Sequence, residues 1–192
     1  MTLVERFYRE VYLPEFAAHR EPLEAWQRAL AGEAPYRMRL RIEVDGDQIQ
    51  GGLASELYPR SACGLVTYLV VAPAWRGRGL GRRWLAEAAA ELRAEGARAV
   101  FGEVDRREPE RLARFRRWGA RAVDVPYVQP ALGEGLARDR ELVLIALDEP
   151  RAELPGELVR AFLAEFYEAT EGALDPELRA IVAGIPEVVS AW

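Results

Sequence analysis

Several residue types on which common enzyme mechanisms depend are scarce in this chain of 192 residues. It contains one histidine, His19, and one cysteine, Cys63. A single cysteine cannot form an internal disulfide bond. Because His19 is the only histidine and lies in a polar stretch, we expect neither a zinc site nor Ser-His-Asp or Cys-His catalysis. These absences exclude many classes of hydrolase.

Long apolar runs and a surplus of positive charge are also missing. No stretch of roughly eighteen apolar residues occurs, and the first residues lack the apolar run of a signal peptide, so we expect a cytoplasmic protein without membrane association. Lysine is absent, and residues 1–150 hold 23 acids and 23 arginines, whereas residues 151–192 hold 8 acids and 3 arginines. This balance argues against a nucleic-acid partner, which requires a basic face.

Hydrophobic periodicity indicates a mixed α/β fold. Apolar and charged residues alternate over 36–44, and a turn signal then separates this strand from a second one expected over 49–58. Gly51 and Gly52 within the second strand indicate a bulge or a close backbone approach. Further strands are expected over 65–71, 100–104, 122–128 and 141–147, and helices over 4–12 (ending before Pro14), 22–32, 79–95 and 109–119.

The remainder of the chain is expected to be a helical extension. Residues 150–155 are the best candidate for a linker, since prolines stand at both ends. Beyond them Leu158, Phe162 and Phe166 recur every four residues, and Asp175-Pro176 has the pattern of a helix start. We therefore expect one domain over 1–150 and an extension over 151–192. The extension should pack on the same domain or on a partner subunit, as in a homodimer.

The segment 69–81 predicts a binding site for a phosphate-containing ligand. It combines a buried strand, a turn after Pro73 and a glycine-rich entry into an amphipathic helix. Unpaired amides and the helix dipole attract anions, glycines permit close approach, and Arg76 and Arg78 add positive charge. A P-loop would require a lysine, and a dinucleotide-binding fingerprint would require glycine where Arg82 stands, so neither fits.

The run Arg76-Gly77-Arg78-Gly79-Leu80-Gly81, preceded by Leu69-x-Val71-x-Pro73, resembles the coenzyme-A signature of the GNAT superfamily of N-acetyltransferases. The resemblance extends from the hairpin to about residue 147 and includes a weaker match at 115–120. It implies that residues 1–150 form a GNAT-like acyltransferase domain with a mainly antiparallel central sheet and flanking helices. The amino-terminal strand usual in the family is not evident here.

The resemblance also implies how acetyl-CoA would bind. Its pyrophosphate would lie on the backbone amides of 76–81, and its pantetheine arm would pair with the exposed backbone of 69–71. The following strand would separate from this one and open a slot for the thioester. The cofactor-binding residues implied in this way are Leu69, Val70, Val71, Arg76, Gly77, Arg78, Gly79, Leu80 and Gly81, with an amide of Val70 or Val71 as the oxyanion donor.

The catalytic residues must supply a base for the amine and a proton for the departing thiolate. The family's usual carboxylate position has no acid here, so Glu103, in an apolar strand, is the first candidate base and Glu56 the second. Glu103 could equally be a solvent-facing strand carboxylate. The family's proton-donating tyrosine falls at Phe115, which we interpret as core. Tyr68, Tyr127 or water could donate the proton instead.

These observations leave three hypotheses about function. The first is an acyltransferase that moves an acetyl group from acetyl-CoA to a primary amine of a small molecule or peptide by direct attack. The second is a catalytically weak acyl-CoA-binding sensor or regulatory module, which would be consistent with Phe115. The third is a nucleic-acid-binding domain that uses its arginine clusters. The arginines of 106–117 are interpreted as a solvated helix face, or alternatively as a contact for the 3′-phosphate of the coenzyme.

Overall fold

A computed structural model of the protein describes residues 1–16, 21–133 and 135–192. His19 lies outside the described residues. The chain begins with α1 (Leu3–Phe7), a π-helical segment (Tyr8–Tyr12) and α2 (Leu13–Glu15), followed by α3 (Leu23–Leu30).

The first helical segment continues past the residue at which we expected it to end. In a regular α-helix, Pro14 would lose one hydrogen bond and its ring would clash with the carbonyl four residues earlier. Here the amide of Leu13 bonds to the carbonyl of Tyr8, five residues back. This wider winding makes room for the proline ring, so the helix passes through Pro14 to Glu15.

The central sheet has six strands in the order β1-β2-β3-β4-β6-β5. Every neighbouring pair is antiparallel except β3 and β4, which are parallel. The mixed, mainly antiparallel fold class is therefore confirmed. The strands are β1 (Arg37–Asp45), β2 (Gln48–Tyr58), β3 (Cys63–Val71), β4 (Ala99–Asp105), β5 (Arg121–Ala122) and β6 (Leu142–Ala146).

The strand expected over 122–128 is wrong beyond its first residue. Only Arg121 and Ala122 pair with β6 as a strand. Beyond them Val123 and Gln129 form isolated bridges, and because Pro126 and Pro130 have no N–H to donate to a ladder, the segment 123–130 forms no continuous strand. The close approach expected at the paired glycines of β2 is confirmed. A Cβ on Gly51 would lie 2.2 Å from the carbonyl oxygen of Val70.

The parallel strands β3 and β4 separate halfway along their length. Their pairing ends at Val66 and Gly102, although β3 continues beside β2 to Val71 and β4 continues beside β6 to Asp105. A β-bulge lies at the same point, because Ser55 pairs with Val66 and Ala54 with Tyr68, which leaves Thr67 without an opposite residue. Bulges bend and twist a strand, which is consistent with the separation.

Helices cover both faces of the sheet. On one face α4 (Leu80–Ala94) packs through Trp84, Leu85 and Leu92, and α5 (Pro109–Arg117) lies beside it. On the other face the amino-terminal helices form an aromatic cluster, and α6 (Gly156–Glu171) covers the rest. Among the described helices, none combines the length and apolar character required to cross a membrane.

The carboxy-terminal segment packs against the sheet of the same chain. Leu158, Phe162 and Phe166 of α6 are buried in one cluster with Tyr58 and Phe101 of the sheet. The expected linker instead contains β7 (Glu153–Pro155), which pairs with β8 (Val188–Ser190) after α7 (Pro176–Ala183). The extension is therefore not purely helical. Its apolar stripe is covered within the chain, and the expected homodimer stays a prediction.

Candidate active site

The turn into α4 has the backbone conformation of an anion cradle. Gly77 and Gly79 have φ values of 80° and 78°, in the left-handed region that favours glycine. A Cβ at either position would meet no heavy atom within 4 Å, so both residues leave open space in front of the helix. The amide of Arg83 bonds to the carbonyl of Gly79, so the amides of the first helical residues before it have no partner within the helix, whereas the amide of Arg76 bonds to the carbonyl of Pro73 at 3.3 Å. These residues fit a pyrophosphate.

The two arginines of this turn are held by neighbouring groups. Arg76 donates from Nε to the carbonyl of Val71 at 2.9 Å, and its guanidinium also forms an ion pair with Glu15 of α2. The guanidinium of Arg78 lies 4.5 Å from the ring centroid of Trp75. The positive charge at the cradle is therefore positioned before any ligand binds.

A cleft of about 1040 Å³ extends from this turn to the point where β3 and β4 separate. Eight of the nine residues expected to bind the cofactor line it, whereas Arg78 does not. The lining residues in this set are Leu69, Val70, Val71, Arg76, Gly77, Gly79, Leu80 and Gly81.

The wall opposite the cradle is formed by α5 and the turn before it. Arg107, Arg111, Arg114 and Arg117 all line the cleft. Arg107 and Arg111 are exposed and paired with acids, namely Asp105 and Glu108, as expected for a solvated helix face, and the contact with the 3′-phosphate stays a prediction. Phe115 also lines the cleft and is only half-buried, with its ring edge-on to Trp118 at 5.4 Å. Phe115 also packs against the core cluster under α4 together with Leu112 and Trp118, so it belongs to the edge of the core, as expected, and to the wall of the cleft as well.

Glu103 lies where the cleft meets a second, much smaller cavity, and it lines both. Its carboxylate accepts hydrogen bonds from the hydroxyl of Tyr127 and from Nε2 of Gln129, the latter at 3.0 Å. Burial raises the pKa of Glu103 to about 7, although these two hydrogen bonds act to lower it. It is therefore not a solvent-facing strand carboxylate. Tyr127 holds Glu103 in place but does not line the small cavity.

Glu56 and Tyr68 line the same small cavity from the side of β2 and β3. Glu56 is only 3% exposed and accepts a hydrogen bond of 2.6 Å from the hydroxyl of Tyr58. Burial, reinforced by the charge of Glu21, raises the pKa of Glu56 to about 8. The hydroxyl of Tyr68 donates to Oε2 of Glu21 at 3.1 Å, and burial raises the pKa of Tyr68 well above its usual range.

Sequence reasoning did not select Glu21, which also lines the small cavity. It stands before Pro22 at the start of α3, and its carboxylate also accepts a hydrogen bond from Nε1 of Trp26 at 2.9 Å. Burial raises the pKa of Glu21 as well, against the hydrogen bonds from Trp26 and Tyr68. The nearest signal in the sequence is the aromatic character of the helices around it, which only predicts packing.

Comparisons with known proteins agree with this architecture. Residues 2–120 match the protein family described as Acetyltransferase (GNAT) family. A search of the curated proteins found no match.

Two similar solved structures are an acetyltransferase assigned to the GNAT family from Bacteroides thetaiotaomicron and one from Desulfovibrio desulfuricans. The first is 21% identical, with a TM-score of 0.58 over 77% of this chain and 82% of that one. The second is 18% identical, with a TM-score of 0.53 over 76% of this chain and 91% of that one. These similarities support the fold, and the family match covers more than half of the sequence. The chain belongs to the GNAT family of acetyltransferases.

Proposed function

We propose that this protein transfers the acetyl group of acetyl-CoA to a primary amine by direct attack, with Glu103 as the general base. The observation that carries the proposal is the position of Glu103, which faces both the cleft and the small polar cavity where β3 and β4 separate. A thioester entering from the cleft and an amine at the cavity would meet at this carboxylate.

The chain's own groups can bind and orient acetyl-CoA. The open amides at the start of α4 would hold the pyrophosphate, and the arginines of α5 would face the adenosine phosphate. Beyond Val66 this edge of β3 no longer pairs with β4, so the backbone edge of Leu69, Val70 and Val71 would pair with the pantetheine arm, in part by replacing the bond that Arg76 donates to the carbonyl of Val71. An amide of Val70 or Val71 would then donate to the oxyanion that develops during transfer.

In the transfer itself the amine nitrogen forms a bond to the acetyl carbon while the carbon–sulfur bond breaks. An amine with a pKa near ~10 is mostly protonated at neutral pH, so a base must accept its proton. A carboxylate whose pKa is about 7 suits this role, because a base acts best when its pKa lies near the working pH. Tyr127 orients Glu103. The thiolate takes its proton from water in the open cleft.

The choice of proton source follows from where the tyrosines lie. Tyr68 lines the small cavity rather than the cleft, and its hydroxyl is engaged with Glu21. Tyr127 is engaged with Glu103. Neither hydroxyl faces the cleft in which the sulfur would lie, and Phe115, which does, has no proton to give. Solvent is therefore our assignment for this step.

The proposal is tested by measuring free thiol released from acetyl-CoA across a panel of amines. Glu103→Gln should lower kcat/KM by ~10²–10⁴, the usual worth of a positioned base. Because the carboxylate is the active form, wild-type kcat/KM should rise as pH increases through about 7. The variant should lose this additional dependence on Glu103 and keep only the rise that deprotonation of the amine substrate causes, so its deficit should shrink at high pH. Glu153→Gln, an exposed substitution on β7, is the matched control and should behave as wild type.

Rates for Glu103→Gln within about threefold of wild type would mean that Glu56 or solvent acts as the general base.

The second candidate function, an acyl-CoA sensor, is favoured by the phenyl ring of Phe115 in the cleft wall. Acetyl-CoA binding without thiol release for any amine would select it. The cytoplasmic location expected from the sequence stays a prediction.

A further inference from the structure

The small cavity behind Glu103 is walled by three carboxylates from separate parts of the chain. Glu21 precedes α3, Glu56 belongs to β2 and Glu103 to β4. The volume of the cavity is about 20 Å³. A space of this size holds roughly one water-sized group, which is also the size of an ammonium head. Aromatic rings complete its walls, namely Tyr36, Tyr58, Tyr68 and Phe166.

No arginine is among the described residues that line this cavity. The other buried glutamates among the described residues have arginine partners. Glu149 is held by Arg151 and Arg93, and these contacts outweigh the effect of burial and lower its pKa. Glu165 is bonded by the amides of residues 60 and 61 and lies 3.6 Å from the guanidinium of Arg60. Glu56 is the buried glutamate that lacks such a cation within the described part of the chain.

One oxygen of Glu56 also lacks a hydrogen-bond partner among the described residues. Tyr58 donates to Oε2, whereas Oε1 accepts no hydrogen bond from any described residue. The side chain of Glu56 is only 3% exposed and lines the cavity. Burying a carboxylate is costly unless a cation and hydrogen-bond donors satisfy it. An ammonium supplies both a positive charge and three donors, and the faces of aromatic rings attract cations. An alkylammonium group would therefore supply the positive charge and the hydrogen-bond donors that these carboxylates lack.

We infer that the amine acceptor carries a second ammonium group, and that the cavity formed by Glu21, Glu56 and Glu103 holds it while the first amine attacks beside Glu103. The inference rests on the proposed function. The acceptor class is a compact diammonium compound, since the cavity admits only a terminal group. Acceptors without a second positive charge would leave the carboxylates unpaired. Acceptors with a carboxylate beside the amine would add to the repulsion between the carboxylates.

Kinetic comparison of diaminobutane, butylamine and aminobutanol tests this inference. Aminobutanol replaces the second ammonium by a neutral hydroxyl of similar size. Diaminobutane should exceed both in kcat/KM by about 10- to 100-fold, the range expected for hydrogen bonds to a charged group, and chiefly through KM. Glu56→Gln and Glu21→Gln should each bring the ratio of diaminobutane to butylamine toward one. Glu153→Gln should keep the wild-type ratio.

Calorimetry gives a readout that is independent of turnover. With coenzyme A present, diaminobutane should bind at about pH 7.5 with release of protons, because a cation favours the ionised form of carboxylates whose pKa values are about 7 and about 8. The release is measured from the binding heat in two buffers of different ionisation enthalpy. Glu56→Gln should weaken the binding and reduce the number of protons released.

The outcomes separate the inference from the function on which it rests. Equal kcat/KM for diaminobutane and butylamine would overturn the inference and leave amine acetylation standing. A preference for diaminobutane that survives in both glutamine variants would overturn the assignment to this cavity. Diaminobutane binding that is lost in Glu56→Gln, without thiol release for any amine, would support the ammonium site and refute the acetyl transfer.

Discussion

The substitution Glu56→Gln should stabilise the folded protein, with an effect that grows as pH rises. Glu56 is almost completely buried, and its pKa is raised from 4.5 to about 8 by burial and by the charge of Glu21. Glutamine keeps the shape and the bond to Tyr58 but carries no charge. The substitution therefore removes the cost of a buried carboxylate without opening a cavity.

The size of the effect follows from proton linkage. Below pH 4.5 the carboxyl is protonated in the folded and unfolded states, so the variant should differ from wild type there only by the about 1–3 kcal/mol that its incompletely bonded amide costs. Between pH 4.5 and about 8 the unfolded chain ionises before the folded one, and wild type loses stability throughout this window. At about 1.4 kcal/mol for each pH unit, the full loss is about 5 kcal/mol. An incompletely bonded glutamine amide offsets about 1–3 kcal/mol, which leaves a net gain of about 2–4 kcal/mol above pH 8.

Urea unfolding of both proteins at a series of pH values measures this difference in free energy. Two other variants serve as controls. Glu103→Gln should show the same sign with a window that ends at about pH 7. Glu149→Gln should show the opposite sign, because the pKa of Glu149 is lowered by Arg151 and its charge is stabilising. A Glu56→Gln variant no more stable than wild type at about pH 8.5, or a difference that does not change with pH, would refute the reasoning.

Two further predictions concern the core and the cleft. Phe162→Ala should lower the free energy of unfolding by about 3–5 kcal/mol, because the ring is fully buried and stacks on Phe101 at a centroid distance of 4.5 Å. Urea unfolding measures this loss, with the exposed substitution Val188→Ala as the control. A loss below about 1 kcal/mol would contradict the packing of α6. Glu15→Gln should tighten acetyl-CoA binding about two- to fivefold, since it releases Arg76 from an exposed ion pair. The shift in melting temperature with acetyl-CoA measures this change in affinity. Unchanged or weaker binding would show that Arg76 does not contact the ligand.

Local patterns in the sequence predicted much of the fold. The alternation of apolar and charged residues in β1, the glycine-rich entry to α4 and the helical stripe of α6 all depend on neighbours within a few residues. The same is true of the phosphate cradle, whose eight cleft-lining residues lie in one short run. Such features can be predicted from the sequence because their physical cause is local, either a backbone conformation or a repeating apolar face.

Local reasoning failed where packing or backbone detail overrode it. Proline predicted a helix end at residue 14, but a π-helical turn accommodated the ring. The segment 150–155 was expected to be a linker, yet its residues Glu153–Pro155 pair with the strand that returns from the far end of the chain. Phe115 packs on the core with the apolar stripe of α5 as expected, but the sequence did not show that its ring also borders the cleft.

Sequence reasoning found the half of the site that we propose to face the nucleotide, because one continuous segment builds it. The half proposed to face the acceptor depends on contacts between distant parts of the chain. Tyr68 meets Glu21 across 47 positions and Tyr127 meets Glu103 across 24, and neither spacing follows from a period. Three glutamates became one cavity because separate elements fold onto the same face of the sheet, and their pKa values rise because burial removes the water that would solvate each of them in an extended chain.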